Sequence, residues 1–233
     1  MEALSTPAKH AGPTYTKRSR ARAAYATEAI GTFVLVFTVG ASTVERSPLT
    51  PVAAGAALMV MVYAGGHISG GHYNPAVTLA VWARRRIGLR DAAVYWVVQI
   101  GAGLVAGGAV SLLTGLDHLP SPGRIALAGD HLVAAFVSEL VFTFALCFVV
   151  LNTATSKDHR GNSFYGLAIG LTVTAGAVAV GAVSGAAFNP AVSIGNAVVG
   201  VLAWPTLWVY VVAQLAAGGA AALAFMMLNP GDR

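Results

Sequence analysis

Long apolar stretches alternate with short polar ones along this chain. No Lys, Arg, Asp or Glu occurs in residues 29–43, 47–83, 92–116 or 161–231. About 20 apolar residues form a helix long enough to cross the hydrocarbon core of a bilayer. The pattern predicts six crossing helices, over residues 25–44, 51–66, 92–113, 132–151, 163–181 and 204–228, with glycines blurring the ends of the second and fifth. Two further apolar stretches, 75–82 and 190–201, are too short to cross. Each begins at a proline that follows an asparagine, and this pair suits a helix start: asparagine caps, and proline fits the first helical position. The fold class expected is an all-α membrane protein with six transmembrane helices and two re-entrant half-helices.

Composition agrees. Of 233 residues, 56% are hydrophobic and 10% charged, against about 25% charged in a soluble domain. The placement of Lys and Arg sets an orientation. With the N-terminus inside and six crossings, twelve of them fall inside and only Arg46 and Arg124 fall outside. Counting either short segment as a crossing would invert everything after it, so the charge bias independently favours re-entrant segments. The net charge of +5 therefore reads as membrane topology and not as a nucleic-acid surface. Residues 1–23 are polar and basic and read as a disordered cytoplasmic tail, without the apolar core and cleavage site of a signal peptide. The single cysteine, Cys147, sits in an apolar run and reads as a packing residue.

The chain repeats itself. Asn74 and Asn189 are 115 residues apart, and so are Gln99 and Gln214. Glu28 and Glu139, which open the first and fourth apolar runs, are 111 apart. A channel domain over 24–229 thus divides into repeats of about 24–114 and 131–229. Each repeat has three crossings, an odd number, so the second is inverted in the membrane. In such folds the functional site tends to lie near the midplane.

The repeated motif is Asn74-Pro75-Ala76 and Asn189-Pro190-Ala191. A half-helix of about ten residues is about 15 Å long, half the bilayer core. Two that enter from opposite faces meet at the middle with their N-termini facing. Each carries a partial charge of roughly +0.5 there, a focus hostile to cations. The asparagine amides can orient a polar molecule by its oxygen. The loops before the half-helices, 70–73 and 185–188, are non-helical at membrane depth, which is tolerable only in protein or beside a water-filled path. Glu28 and Glu139 are open to two readings, proton coupling or acceptors that hold the adjacent loop; their duplication favours the second. His67 and His72 have no carboxylate or thiol beside them and read as loop packing, not as metal ligands. The pairs Gly103/Gly107, Gly166/Gly170 and Gly181/Gly185 have small-xxx-small spacing and read as helix packing. Neither a nucleophile–base set nor a metal cluster stands in the spans, so no enzyme, catalytic residue, metal or cofactor is expected.

The segment from His67 to Thr78, His-Ile-Ser-Gly-Gly-His-Tyr-Asn-Pro-Ala-Val-Thr, resembles the first signature of the major intrinsic protein family, the aquaporins and glycerol facilitators. The resemblance runs over about 25–228. It implies a pore in each subunit, a homotetramer, and passive conduction of water or small neutral solutes in a lipid bilayer, with the plasma (inner) membrane expected and both termini cytoplasmic. By motif position it places the pore asparagines at Asn74 and Asn189. A ladder of pore carbonyls falls on Gly70, Gly71, His72, Tyr73, Gly185, Ala186, Ala187 and Phe188. Glu28 and Glu139 become the buried loop-holding acids. The selectivity filter falls on Ala54, Ala177, Ala186 and Val192. The family's second motif usually continues with an arginine where Val192 stands here. Three alanines and a valine imply a wide apolar mouth without a fixed cation. Ser193 and Ala197 instead fit the water-channel pattern of bacterial or tonoplast members. The expectation is a channel for water plus solutes such as urea, ammonia, hydrogen peroxide or glycerol. The alternatives are a channel mainly for a non-water solute, or a secondary active transporter.

Overall fold

A computed structural model of the chain describes residues 16–116, 124–125 and 127–232. Among the described residues, six helices are long and apolar enough to cross a membrane. In chain order with the half-helices they are α1 (Lys17–Val44), α2 (Thr50–Ser69), α3 (Pro75–Ala83), α4 (Leu89–Gly115), α5 (Asp130–Val150), α6 (Tyr165–Ser184), α7 (Pro190–Val199) and α8 (Leu207–Leu228). A wide turn, Leu151–Thr155, extends α5, and a 3-10 turn, Trp204–Thr206, leads into α8.

Several helix ends shift from expectation, and two of the shifts have clear local reasons. Helix α1 starts at Lys17, inside the segment read as a disordered tail. Thr16 caps it, its Oγ accepting from the Ser19 N–H at 3.1 Å, and the Lys, Arg and Ala residues that follow are good helix formers. Residues 1–15 of that tail lie outside the described residues. Helix α7 ends at Val199 and not at 201. Gly200 turns left-handed at φ 93, and the Val201 and Leu202 amides fold back onto the Asn196 carbonyl at 2.9 and 3.2 Å.

The two repeats are built alike and then exchange parts. Helix α1 packs on α2 and α4, α5 packs on α6 and α8, and α2 meets α6 at the centre. Each half-helix, however, leans on the last crossing helix of the other repeat: α3 on α8, and α7 on α4. Small residues make this close approach possible. A Cβ on Gly103 would stand 2.6 Å from the Ala191 carbonyl oxygen, and one on Gly218 would stand 2.6 Å from that of Ala76. Gly107 meets the Gly195 carbonyl in the same way. Gly166 lies against the Tyr63 ring and Gly170 against the Gly55 carbonyl, so this pair joins α6 to α2. The third pair departs from the packing reading. Gly181 has open space beside it, and Gly185 takes φ 83 to end α6.

Candidate functional site: a cavity between two half-helices

Asparagine begins each half-helix and also joins it to the other. The Asn74 Oδ1 accepts from the Ala76 N–H at 2.8 Å, and the Asn189 Oδ1 from the Ala191 N–H at 2.9 Å. These bonds satisfy amides that a helix start leaves without partners. The side-chain amides then cross over. Asn74 Nδ2 donates to the Phe188 carbonyl at 2.9 Å, and Asn189 Nδ2 to the Tyr73 carbonyl at 2.8 Å. One amide hydrogen of each asparagine is thereby used, and the second remains for the cavity that both residues line.

The loops are held in a costly shape. Tyr73, Ala186 and Phe188 stand at φ 48, 49 and 47, where a side-chain-bearing residue costs about 1–2 kcal/mol. Two buried carboxylates hold them there. Glu28 accepts from the His72 N–H at 2.9 Å, the Tyr73 N–H at 2.7 Å, the Ser69 hydroxyl at 2.7 Å and Gln99 Nε2 at 2.9 Å. Glu139 accepts from the Ala187 N–H at 3.0 Å, the Phe188 N–H at 2.7 Å, the Ser184 hydroxyl at 2.8 Å and Gln214 Nε2 at 2.8 Å. All eight partners are donors, so every lone-pair direction in use points at the backbone or at its supports. Ser69 and Ser184 then accept from the Gly71 and Ala186 amides.

With the amides turned toward the glutamates, the carbonyls turn elsewhere. Among the described residues, no protein donor reaches the carbonyls of Gly70, Gly71, His72, Gly185, Ala186 or Ala187. The Tyr73 and Phe188 carbonyls differ from the other six of the expected ladder, because each already accepts from the opposing asparagine. Their side chains point away from the cavity. Tyr73 is buried between Gly31 and Gly65, and Phe188 packs against Gly176 and Phe142.

The cavity between the half-helices holds about 20 Å³, room for one water-sized molecule at a time. Its sixteen lining residues form eight pairs at the spacings of the repeat. Leu35/Leu146 and Val39/Val150 are 111 apart. Ala54/Ile169, Leu58/Val173, Gly71/Ala186, His72/Ala187, Asn74/Asn189 and Val77/Val192 are 115 apart. None is an acid, a lysine or an arginine, and both half-helices begin Asn-Pro-Ala-Val. The sequence-derived filter is brought here in part: Ala54, Ala186 and Val192 line the cavity, whereas Ala177 does not and stands half-buried one turn from Val173. Leu35, Leu58, Leu146 and Val173 line the cavity beside them.

Sequence reasoning missed these branched side chains, although the repeat spacings would have paired them. His72 also lines the cavity, its Nδ1 hydrogen-bonded with the Thr78 hydroxyl at 3.0 Å. His67 is exposed and lines a different chamber. Cys147 is fully buried. An ion cluster below α3 was also missed. Buried Asp232 accepts from Arg84 at 2.7 Å, from Arg86 at 2.9 Å and from the Lys157 N–H at 2.8 Å, and the Arg84 guanidinium lies 4.0 Å from the Phe225 ring centre. Burial alone would raise the Asp232 carboxyl. The Lys157 amide and the Arg84 and Arg86 guanidiniums outweigh it and hold the group below its ordinary value.

Comparison with known proteins follows this geometry. The chain matches the family described as major intrinsic protein over residues 14–225. It is 40% identical over 214 residues to Aquaporin NIP1-4 of Oryza sativa subsp. japonica, covering 88% of this chain and 77% of that one. It is 39% identical over 196 residues to Glycerol uptake facilitator protein-like 6 of Lactiplantibacillus plantarum, covering 81% and 90%. The fold is similar to that of the aquaglyceroporin from Plasmodium falciparum, with a TM-score of 0.72 at 22% identity over 88% of this chain and 95% of that one. The six apolar spans, the opposed half-helices and these matches agree: the chain is an integral membrane protein of the major intrinsic protein family, whose members are channels for water and small solutes.

Proposed function

We propose that this protein conducts water and small neutral solutes passively through an apolar filter formed by Ala54, Ala177, Ala186 and Val192, without a fixed cation. The observation that carries the reading is the uncharged cavity, in which two asparagine amides and His72 are the only polar side chains. Paired half-helix N-termini repel cations there by their dipoles. The unpartnered loop carbonyls replace water contacts along a single file. Urea, ammonia, hydrogen peroxide and glycerol fit the reading as permeants, and the similarity to a protein named as a glycerol uptake facilitator supports solute passage. A mainly non-water solute channel is the second reading, favoured by the near-total apolar lining, which offers water few partners. The family resemblance supports a homotetramer. The twelve inside cations support an inner-membrane orientation with both termini cytoplasmic.

Stopped-flow light scattering on reconstituted vesicles tests this with water, urea and glycerol for wild type and Val192→Arg. The wild type is expected to pass urea. The arginine variant is expected to lose solute flux at least about tenfold, one factor of ten being ~1.4 kcal/mol. Water flux with urea and glycerol fully excluded in the wild type would contradict the apolar filter, and unchanged selectivity in Val192→Arg would contradict its placement.

A further inference from the structure

The cavity carries no charge, but one of its two mouths does. On the face where both ends of the described chain lie, a chamber of about 610 Å³ shares His72 and Val150 with the cavity. Lys17, Arg20 and Arg86 line it, with the carboxylate of Asp91; Arg86 is also paired with Asp232 at 2.9 Å, so Lys17 and Arg20 are its unpaired cations among the described residues. The Asp91 carboxylate is already engaged, accepting from the Tyr25 hydroxyl at 2.5 Å. A second chamber of about 470 Å³ shares Gly70 and Arg86 with the first and adds Arg160, with no acid in its lining. Lys17 and Arg20 are exposed on the first turn of α1, free of any salt bridge among the described residues. At the opposite face, charges among the described residues balance: Glu45 and Asp130 against Arg46 and Arg124.

We infer that Lys17, Arg20 and Arg86 form a cation-repelling ring at the inner mouth, supplying the fixed positive charge that Val192 leaves out of the filter. The inference rests on the neutral-solute channel reading. Rings of Lys and Arg set the sign of the ions a pore admits. A concave mouth with low-dielectric walls focuses their field. The ring need not touch the permeant. It acts over about a Debye length, ~10 Å at 0.1 M salt and ~3 Å at 1 M. A neutral solute crosses the ring without an electrostatic barrier, whereas a cation of the same shape is turned back before it reaches the asparagines.

Urea and guanidinium provide that comparison, being planar, similar in size and different in charge. Their efflux is measured from vesicles holding wild type, Lys17→Gln/Arg20→Gln or Lys17→Glu/Arg20→Glu. The wild type passes urea and rejects guanidinium. The neutral variant is expected to raise the guanidinium-to-urea ratio about tenfold, and the acidic variant further. Both substitutions are at exposed positions, and gel filtration checks assembly. The wild type alone gives a second readout: its ratio is expected to rise between 0.1 and 1 M salt as the ring is screened. A ratio indifferent to both variants and to salt overturns the inference while leaving the channel reading intact. A wild type that passes neither water nor urea above empty vesicles overturns both.

Discussion

Replacing Glu139 by glutamine tests whether the carboxylate holds the second loop in its strained shape. Glutamine preserves the shape but turns one acceptor oxygen into a donor. At Oε1 the group facing it would be the Ala187 N–H, and at Oε2 the Phe188 N–H; either orientation leaves one buried backbone amide opposed. An unsatisfied buried donor costs about 1–3 kcal/mol, and a bond to a charged acceptor exceeds a neutral one by about 1 kcal/mol. With two or three surviving bonds weakened, the total is about 3–6 kcal/mol. A chain of this size loses about 2–4 °C of Tm per kcal/mol, so Glu139→Gln should melt roughly 6–24 °C lower, read by tryptophan fluorescence in detergent. Ala186 and Phe188 relax from φ 49 and 47, the Phe188 carbonyl leaves Asn74, and water conductance falls. Exposed Glu45→Gln is the control and should melt with the wild type. A Glu139→Gln protein with wild-type Tm and conductance would refute the argument, because the loop would then hold its shape without the carboxylate.

Two further substitutions test other contacts. Gly103→Ala places a methyl 2.6 Å from the Ala191 carbonyl; rigid backbone cannot yield cheaply, so about 1–3 kcal/mol should be lost, whereas Gly101→Ala, with nothing within 4 Å, should be neutral or gain up to about 1 kcal/mol; equal Tm values would contradict the α4–α7 contact. Asp232→Asn leaves Arg84 with an uncompensated buried charge and should cost about 3–5 kcal/mol at pH 7. Because the Asp232 carboxyl is held below its ordinary value of 3.8, its contribution is complete above that pH and is lost progressively as pH falls from there through the lower value of the folded state. The Tm gap between wild type and Asp232→Asn should be constant above pH 3.8 and narrow progressively below it, and a gap that widens as pH falls would contradict the pairing.

The sequence made the spans and the opposed half-helices legible because both rest on local signals: runs of apolar residues, an Asn-Pro start and a charge bias. Helix ends were less legible. The Lys17 start depends on a cap by Thr16, and the Val199 stop depends on one left-handed glycine, each overriding the apolar pattern. At the site, asparagines and glutamates were readable from their recurrence. The branched residues of the cavity lining were not, because counting alanines says nothing of Leu58 and Val173 one turn away. Nor were the Tyr73 and Phe188 directions, which follow from φ values that alternation cannot reveal. The Arg84–Asp232 pair joins positions 148 apart, and no repeat spacing connects them.

The crossed asparagine bonds have a consequence for how the molecule comes into being. Asn74 finds its carbonyl partner 114 residues later, at Phe188, and Asn189 finds its partner 116 residues earlier, at Tyr73. While the first repeat alone is in the bilayer, the amide of Asn74, the carbonyl of Tyr73 and the face of α3 that later leans on α8 all lack their counterparts. Such long-range closures come late and slowly. The first repeat is therefore expected to wait for the second, with the conducting path completed in one late docking of two nearly equal partners. Synthesised as two separate polypeptides, the halves should each insert but conduct only when mixed, as subunits of a heterodimer would.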